Sequence, residues 1–218
     1  YRTMRDHGQE LGFTFDNLSF DLEKVIGRSR NVAGTLSTGI SALFKKNKVT
    51  HIEGRGKLFQ RGLVQVTAGD GSTEMVEAKH IILATGARPR ELPFAPFDGE
   101  KVINYKQAMV PDSLPKKLVI IGAGAIGVEF AYFYNAFGTE VTIVEMQSRL
   151  VPVEDSDASK ELERSFKKSG IQIKTKTKVN AIDTSGKQVK VTIEGAKGKS
   201  ETLEADRVLV AAGVVGNV

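Results

Sequence analysis

Residues 118–130, LVIIGAGAIGVEF, limit the possible folds more than any other part of the chain. Four apolar residues lead directly into a G-x-G-x-x-G motif with glycines at positions 122, 124 and 127. Between a buried strand and a helix, this motif is typical of a dinucleotide-binding βαβ unit. Gly122 permits the tight turn, Gly124 lets the backbone approach a pyrophosphate, and Gly127 lets the helix pack closely on the strand. We therefore predict a phosphate site at the N-terminus of the helix that begins near Ala125.

The strand that follows ends in an acidic residue. VTIVE places Glu145 about twenty residues beyond the glycine motif, where a carboxylate accepts hydrogen bonds from ribose hydroxyls and repels a 2′-phosphate. The next three residues include no arginine, which favours NAD over NADP. A simple surface acid at a strand end is the alternative for Glu145. Glu129, expected on the first helical turn, has two open interpretations: it complements the helix dipole, or it lies near the nicotinamide end.

Apolar strands alternate with helices from residue 117 onward. After LVIIG and a helix at 125–137 come the strand EVTIVE, a helix at 156–168 and the strand IQIK. A three-stranded antiparallel meander (VNAI, QVKVTIE, SETLEA) then precedes a last apolar strand, VLVAAG. This order predicts an α/β fold with a parallel sheet and right-handed crossovers.

The first half of the chain repeats the end of this pattern. A helix predicted at 22–44 precedes a meander (VTHI, LVQV, EMVEA) and then HIILATGARP, residues 80–89, in which IILA is expected to be a buried strand. HIILATGARP resembles DRVLVAAGVV, residues 206–215, although chance similarity is the alternative. We predict two Rossmann-like dinucleotide-binding domains, an incomplete one at 1–111 and a second at 112–218. The first lacks its own βαβ unit and the chain lacks an initiator Met, so we expect a fragment of a longer protein.

Composition argues against several classes of function. The chain has no cysteine, and therefore no disulfide, thiolate nucleophile or cysteine metal site of its own. His7, His51 and His80 show no metal-ligand spacing, so we predict no metal site. No apolar run is long enough for a membrane helix. The net charge of +5 comes without a nucleic-acid recognition motif, so we predict neither a membrane nor a nucleic-acid partner.

Longer stretches of the sequence identify a family. GAGAIGVEF, VTIVEMQSRLVPVEDSDASKELERSFKKSGI and VLVAAG resemble the NAD domain of the dimeric flavoprotein disulfide oxidoreductases, and within them the dihydrolipoamide dehydrogenases. GISALFKKNKVTHIEGRGKL and IILATGARP resemble the later part of the FAD domain of the same enzymes. The resemblance covers essentially the whole chain. Gly127, where NADPH-using glutathione reductases usually carry Ala, favours the NAD-linked branch.

The resemblance implies sites for both cofactors. NAD contacts are implied along the glycine motif and at three later positions: Gly122, Ala123, Gly124, Ala125, Ile126, Gly127, Val128, Glu129, Glu145, Val179 and Gly213. Of these, Glu145 would lie at the ribose, Val179 beside the adenine and Gly213 at the end of the last strand. FAD contacts are implied at four positions: Gly56, Thr85, Gly86 and Ala87. For Thr85 and Gly86, a simple exit from strand to loop is the alternative.

The resemblance also implies a mechanism and partners. In these homodimeric enzymes dihydrolipoamide is carried on the lipoyl domain of a 2-oxo-acid dehydrogenase complex and reduces an enzyme disulfide to a dithiol. The dithiol reduces FAD, and reduced FAD passes a hydride to NAD+. The cysteine pair and the histidine–glutamate base are absent from this sequence, so we expect no catalytic residue in this span and no activity from it alone. We expect a cytoplasmic location, with the mitochondrial matrix as the alternative. The alternative functions are a mercuric or glutathione reductase-like enzyme and a non-catalytic dinucleotide-binding or redox-sensing module.

Overall fold

The computed structural model describes residues 1–217, which form two compact units. One unit contains residues 1–26 and 87–217, and the other contains residues 27–86. The division predicted between residues 111 and 112 separates the two proposed cofactor domains, and it remains a prediction.

The predicted long helix is present. α1 spans Arg2–His7 and α2 spans Leu22–Lys46, two residues longer at its end than the sequence predicts. Asp21 caps α2, since its Oδ1 accepts a hydrogen bond from the Lys24 N–H at 3.1 Å. One face of α2 carries an apolar stripe that is about half exposed or more: Val32, Leu36 and Ile40.

The first predicted meander is confirmed with a shift at its start. β1 (Arg55–Gln60), β2 (Leu63–Thr67) and β3 (Thr73–Glu77) form an antiparallel sheet in the order β1-β2-β3. VTHI, predicted as the first strand, lies before β1 instead. The reason is that RGKLFQ, and not VTHI, pairs with β2.

The buried strand predicted at IILA is wrong. Residues 81–86 lie outside the four sheets of the described chain, and the side chains of Ile82 and Leu83 are 90% and 69% exposed. An apolar run forms a buried parallel strand only where neighbouring strands pair with both of its edges. No strand among residues 1–217 pairs with this run. The apolar pattern is present, but the sheet that would bury it is not formed by these residues.

Between residues 117 and 210, the larger unit follows the predicted order of strands and helices. Its elements from residue 87 onward are β4 (Ala87–Pro89), β5 (Val102–Ile103), α3 (Tyr105–Met109), β6 (Lys117–Ile121), α4 (Ala125–Ala136), β7 (Glu140–Val144), α5 (Ser156–Lys168), β8 (Gln172–Lys174), β9 (Lys178–Asp183), β10 (Val189–Glu194), β11 (Ser200–Ala205), β12 (Arg207–Val210) and β13 (Val214–Gly216). Of these, β5 and α3 were not predicted. A five-stranded parallel sheet has the order β5-β12-β6-β7-β8, and β9, β10 and β11 form the second predicted meander.

The parallel sheet is covered on both faces. Leu118 and Ile120 of β6 pack with α4 and α5 in one buried apolar cluster. Val119 and Ile121, which point to the opposite face because side chains alternate along a strand, pack with the meander in a second cluster. This explains why β6 is apolar at consecutive positions.

The segments that directly follow the ATG and AAG sequences pair with each other. β4, which follows ATG, pairs antiparallel with β13, which follows AAG, with Ala87 opposite Gly216 and Pro89 opposite Val214. Gly213, just before β13, has a left-handed φ of 97° that disfavours other residues. The Arg88 side chain donates a hydrogen bond to the Gly216 carbonyl at 3.0 Å. The two-stranded sheet of β4 and β13 therefore places residues 87–89 beside the segment that leaves β12 of the parallel sheet.

Candidate dinucleotide-binding site

A cavity of about 600 Å³ lies at the carboxyl ends of β6, β7 and β12. In open α/β sheets this edge is where ligands bind. The cavity is lined by Leu92, Phe94 and residues 121–126, 144–146, 177–180 and 211–214. The glycine motif thus shares one cavity with the ends of two neighbouring parallel strands.

The three motif glycines meet three different spatial demands. Gly122 has a φ of 102°, and a Cβ there would lie 2.5 Å from the Ala211 carbonyl oxygen. A Cβ at Gly127 would collide with the carbonyl oxygen of Gly122, which shows how closely α4 packs on the loop. Gly124 lines the cavity, and a Cβ there would meet no protein atom within 4 Å. The space beside Gly124 is therefore open for a ligand to approach the backbone.

The N-terminus of α4 is suited to an anion. Gly124 is its N-cap, so no side chain accepts the N–H groups of the first turn. The first turn also contains no acidic residue. Together with the helix dipole, these N–H groups favour phosphate at the cavity.

Glu145 is not a surface acid. The residue is 8% exposed and lies in the cavity wall. Oε2 accepts a hydrogen bond from the Ala123 N–H at 2.7 Å, and Oε1 accepts one from the Gln147 N–H at 2.6 Å. Each carboxylate oxygen has a second lone pair, which leaves capacity for a further donor such as a ribose hydroxyl.

The structure brings most of the predicted NAD residues together. Residues 122–126, Glu145, Val179 and Gly213 all line the cavity. Val128 is buried within α4 and packs in the core. Glu129 is exposed and is the fifth residue of α4, beyond the first turn in which it was predicted. The dipole interpretation of Glu129 is weakened, because that effect falls off after the first turn.

The predicted FAD residues lie on separate segments. Gly56 is in β1, opposite Val66 of β2. Thr85 and Gly86 lie just before β4, and Gly86 has a left-handed φ of 73°. Ala87 is the first residue of β4. Their joint role in FAD binding remains a prediction.

The segment between β4 and β5 contributes cavity residues that the sequence analysis missed. Leu92 and Phe94 line the cavity, although the sequence analysis assigns this segment no role. The Ala95 N–H donates to the Leu92 carbonyl at 2.8 Å, and the Ala95 side chain is fully buried. The sequence signal for these residues was the presence of large apolar side chains among the prolines of residues 89–96. Met146, Thr177, Lys178 and Asn180 were also missed, because they flank predicted residues without any motif of their own.

Among residues 1–217 there is no group of three or more His, Cys, Asp or Glu side chains arranged to hold a metal ion. No helix in the same range is long and apolar enough to cross a membrane.

Comparison with known proteins identifies the family. The sequence profile described as pyridine nucleotide-disulphide oxidoreductase matches residues 5–218. The chain belongs to this family. Membership implies FAD and a nicotinamide dinucleotide as cofactors, and it agrees with the paired glycine loop and acidic strand end of the cavity.

Individual proteins are similar along all or most of the chain. Dihydrolipoyl dehydrogenase of Zymomonas mobilis subsp. mobilis is 42% identical over 218 residues, which is all of this chain and 47% of that protein. Leghemoglobin reductase of Glycine max is 41% identical over 203 residues, covering 93% of this chain and 39% of that protein. The crystal structure of LpdA from Mycobacterium tuberculosis superposes with a TM-score of 0.87 at 33% identity, covering 99% of this chain and 47% of that one. The chain spans about half the length of these relatives.

Proposed function

We propose that this chain provides the NAD site, and part of the FAD site, of a dihydrolipoyl dehydrogenase. The observation that carries the proposal is the single cavity onto which the glycine loop, Glu145 and the end of β12 converge. Similarity to dihydrolipoyl dehydrogenases over the whole chain supports dihydrolipoamide as the substrate of the complete enzyme.

The cavity residues suggest how NAD would be held. Gly124 and the N-terminus of α4 would bind the pyrophosphate, because the open space there admits a phosphate against the backbone. The Glu145 carboxylate would accept hydrogen bonds from the adenosine ribose. Val179 would lie beside the adenine, and Gly213 would lie near the other end of the dinucleotide. Glu145 would also repel a 2′-phosphate, so we propose NAD rather than NADP.

Exposed apolar surface in residues 27–86 supports an incomplete FAD domain. The apolar stripe of α2 is open, and so are the side chains of Ile82 and Leu83. Apolar side chains exposed to this extent along one helix face normally pack against another part of a protein. We propose that further strands cover it in the complete enzyme and that Gly56, Thr85, Gly86 and Ala87 then meet FAD.

The division of labour in the reaction follows from the composition of the chain. Bound NAD+ would accept a hydride delivered from reduced FAD. This chain would bind and orient the dinucleotide, while the disulfide step needs cysteines that the chain does not have. The proposed partners are a second subunit and the lipoyl domain of a 2-oxo-acid dehydrogenase complex. The proposed location is the cytoplasm or the mitochondrial matrix, where such complexes work.

Titration of the 218-residue chain with NADH and NADPH, followed by nicotinamide fluorescence, tests the proposal. We expect NADH to bind and NADPH to bind at least about tenfold more weakly, which corresponds to about 1.4 kcal/mol of repulsion and lost hydrogen bonding. Equal affinity would overturn the NAD assignment. If neither NADH nor NADPH binds, the proposed dinucleotide site itself is overturned.

A further inference from the structure

The Glu145 carboxylate connects the glycine loop to the chain segment that follows β7. We propose that Glu145 is a positioning residue, which holds the glycine loop in its binding shape before any dinucleotide arrives. The inference rests on the proposed dinucleotide site and adds to the ribose contact proposed above. It predicts an effect on ligands that have no ribose hydroxyls at all.

The backbone of Ala123 is held from both sides. Its N–H donates to Glu145 Oε2 at 2.7 Å, and its carbonyl accepts from the Val151 N–H at 2.7 Å. The preceding residue is anchored too, since the Gly122 N–H donates to the Val144 carbonyl at 2.9 Å. Ala123 is fully buried, so its N–H requires an acceptor within the protein. Glu145 is the side chain that supplies one.

Glu145 is itself firmly held, which makes it an effective anchor. Its backbone N–H donates to the Lys174 carbonyl at 2.9 Å, and its own carbonyl accepts from the Thr177 N–H at 3.0 Å. Its second carboxylate oxygen accepts from the Gln147 N–H at 2.6 Å. The carboxylate therefore ties the glycine loop to the ends of β7 and β8.

This arrangement fixes the part of the loop that faces the ligand. Gly124 and the first turn of α4 directly follow Ala123, so the hydrogen bond to Glu145 sets where their N–H groups point. A loop that is already ordered loses less entropy when it binds a pyrophosphate. Both donors to Glu145 are backbone N–H groups, so both need an acceptor. A glutamine at position 145 offers one acceptor oxygen and one donor NH₂ group. It therefore leaves one of the two backbone N–H groups without an acceptor.

A cycle of two ligands and two proteins separates positioning from ribose contact. ADP and 2′,3′-dideoxy-ADP are titrated calorimetrically into the wild-type chain and into Glu145→Gln. If Glu145 positions the loop, dideoxy-ADP should bind the variant about tenfold more weakly than the wild type. A tenfold change corresponds to about 1.4 kcal/mol, which is about the contribution of one hydrogen bond to a charged group. Equal affinity of dideoxy-ADP for both proteins would overturn the positioning role.

A control and a ligand-free measurement complete the test. Glu140→Gln removes an exposed carboxylate at the opposite end of the same strand, 4.0 Å from Lys117, and should leave both affinities unchanged. In the ligand-free chain, Glu145→Gln should speed hydrogen exchange at the Ala123 amide and leave the Ile120 amide in the core unchanged. Unchanged exchange at Ala123 would refute positioning even if no nucleotide binds. Failure of ADP to bind the wild type would instead refute the dinucleotide site.

Discussion

Replacement of Gly124 by alanine should abolish most dinucleotide binding while leaving the fold intact. Gly124 lines the cavity, its φ of −71° is accessible to every residue, and a Cβ would meet no protein atom within 4 Å. The added methyl group would therefore occupy the space into which a pyrophosphate must come. The substitution tests the proposed site directly, because only a bound ligand would contact the new atom.

The expected magnitudes follow from this geometry. In the folded protein, alanine is a poorer N-cap than glycine, while in the unfolded chain it restricts the backbone and so stabilises by about 0.4–1 kcal/mol. These effects oppose each other, so the free energy of unfolding should change by less than about 1 kcal/mol. Forcing a methyl group into a filled site costs about 1–3 kcal/mol. NADH affinity should therefore fall about 5- to 150-fold.

Gly122→Ala is the matched control. At Gly122 the φ of 102° is strained for alanine, and the Cβ would lie 2.5 Å from the carbonyl oxygen and 2.8 Å from the carbonyl carbon of Ala211. Strain and overpacking together should lower the free energy of unfolding by about 2–6 kcal/mol. Urea denaturation and NADH fluorescence titration measure the two quantities for each variant. Wild-type NADH affinity in Gly124→Ala would refute the proposed approach of the pyrophosphate to this loop.

Two further predictions concern the core and the repeated strand. Tyr134→Phe removes the hydrogen bond from the buried hydroxyl to the Ala108 carbonyl at 3.0 Å, which should cost about 1–2 kcal/mol in urea denaturation at neutral pH. Burial raises the pKa of Tyr134 to about 12, so the wild type should lose stability as the pH rises from about 10 to about 12. The difference in free energy of unfolding between the wild type and Tyr134→Phe should therefore shrink over this range. A difference that stays constant would contradict this prediction. Leu209→Ala should cost about 2–5 kcal/mol, whereas Ile82→Ala, at the equivalent place before its glycine, should cost less than about 0.5 kcal/mol. Similar losses for these two variants would show that Ile82 is buried.

Local sequence patterns predicted most of the larger unit. The helix α5 has the predicted bounds, and α4 ends one residue earlier than predicted. The strands β6, β7 and β12 were predictable because short, mostly apolar runs flanked by glycine or charged residues indicate burial on both faces. The phosphate end of the site was predictable from the spacing of the motif glycines between a strand and a helix. The contact that excludes a side chain at Gly122, however, comes from Ala211 in a distant part of the chain.

Other parts of the site depend on contacts between distant segments. Leu92 and Phe94 reach the cavity because β4 pairs with β13, and no local pattern reveals that pairing. The hydrogen bond between Glu145 and Ala123 joins residues 22 positions apart. The sequence indicated an acid at the right strand end, but it did not reveal that both carboxylate oxygens already serve the backbone.

The two similar endings show how much the surrounding sheet decides. IILATG and VLVAAG have nearly the same pattern, yet Leu209 is fully buried and Ile82 is 90% exposed. Leu209 lies in β12, which pairs with β5 on one edge and with β6 on the other. Residues 81–86 pair with no strand among residues 1–217. The apolar pattern gives both segments the capacity to form a central strand, and only neighbouring strands convert that capacity into burial. Supplying such neighbours to residues 81–86 should therefore protect their amides from hydrogen exchange, and unchanged exchange in a longer, FAD-binding form of the chain would refute the proposed FAD domain.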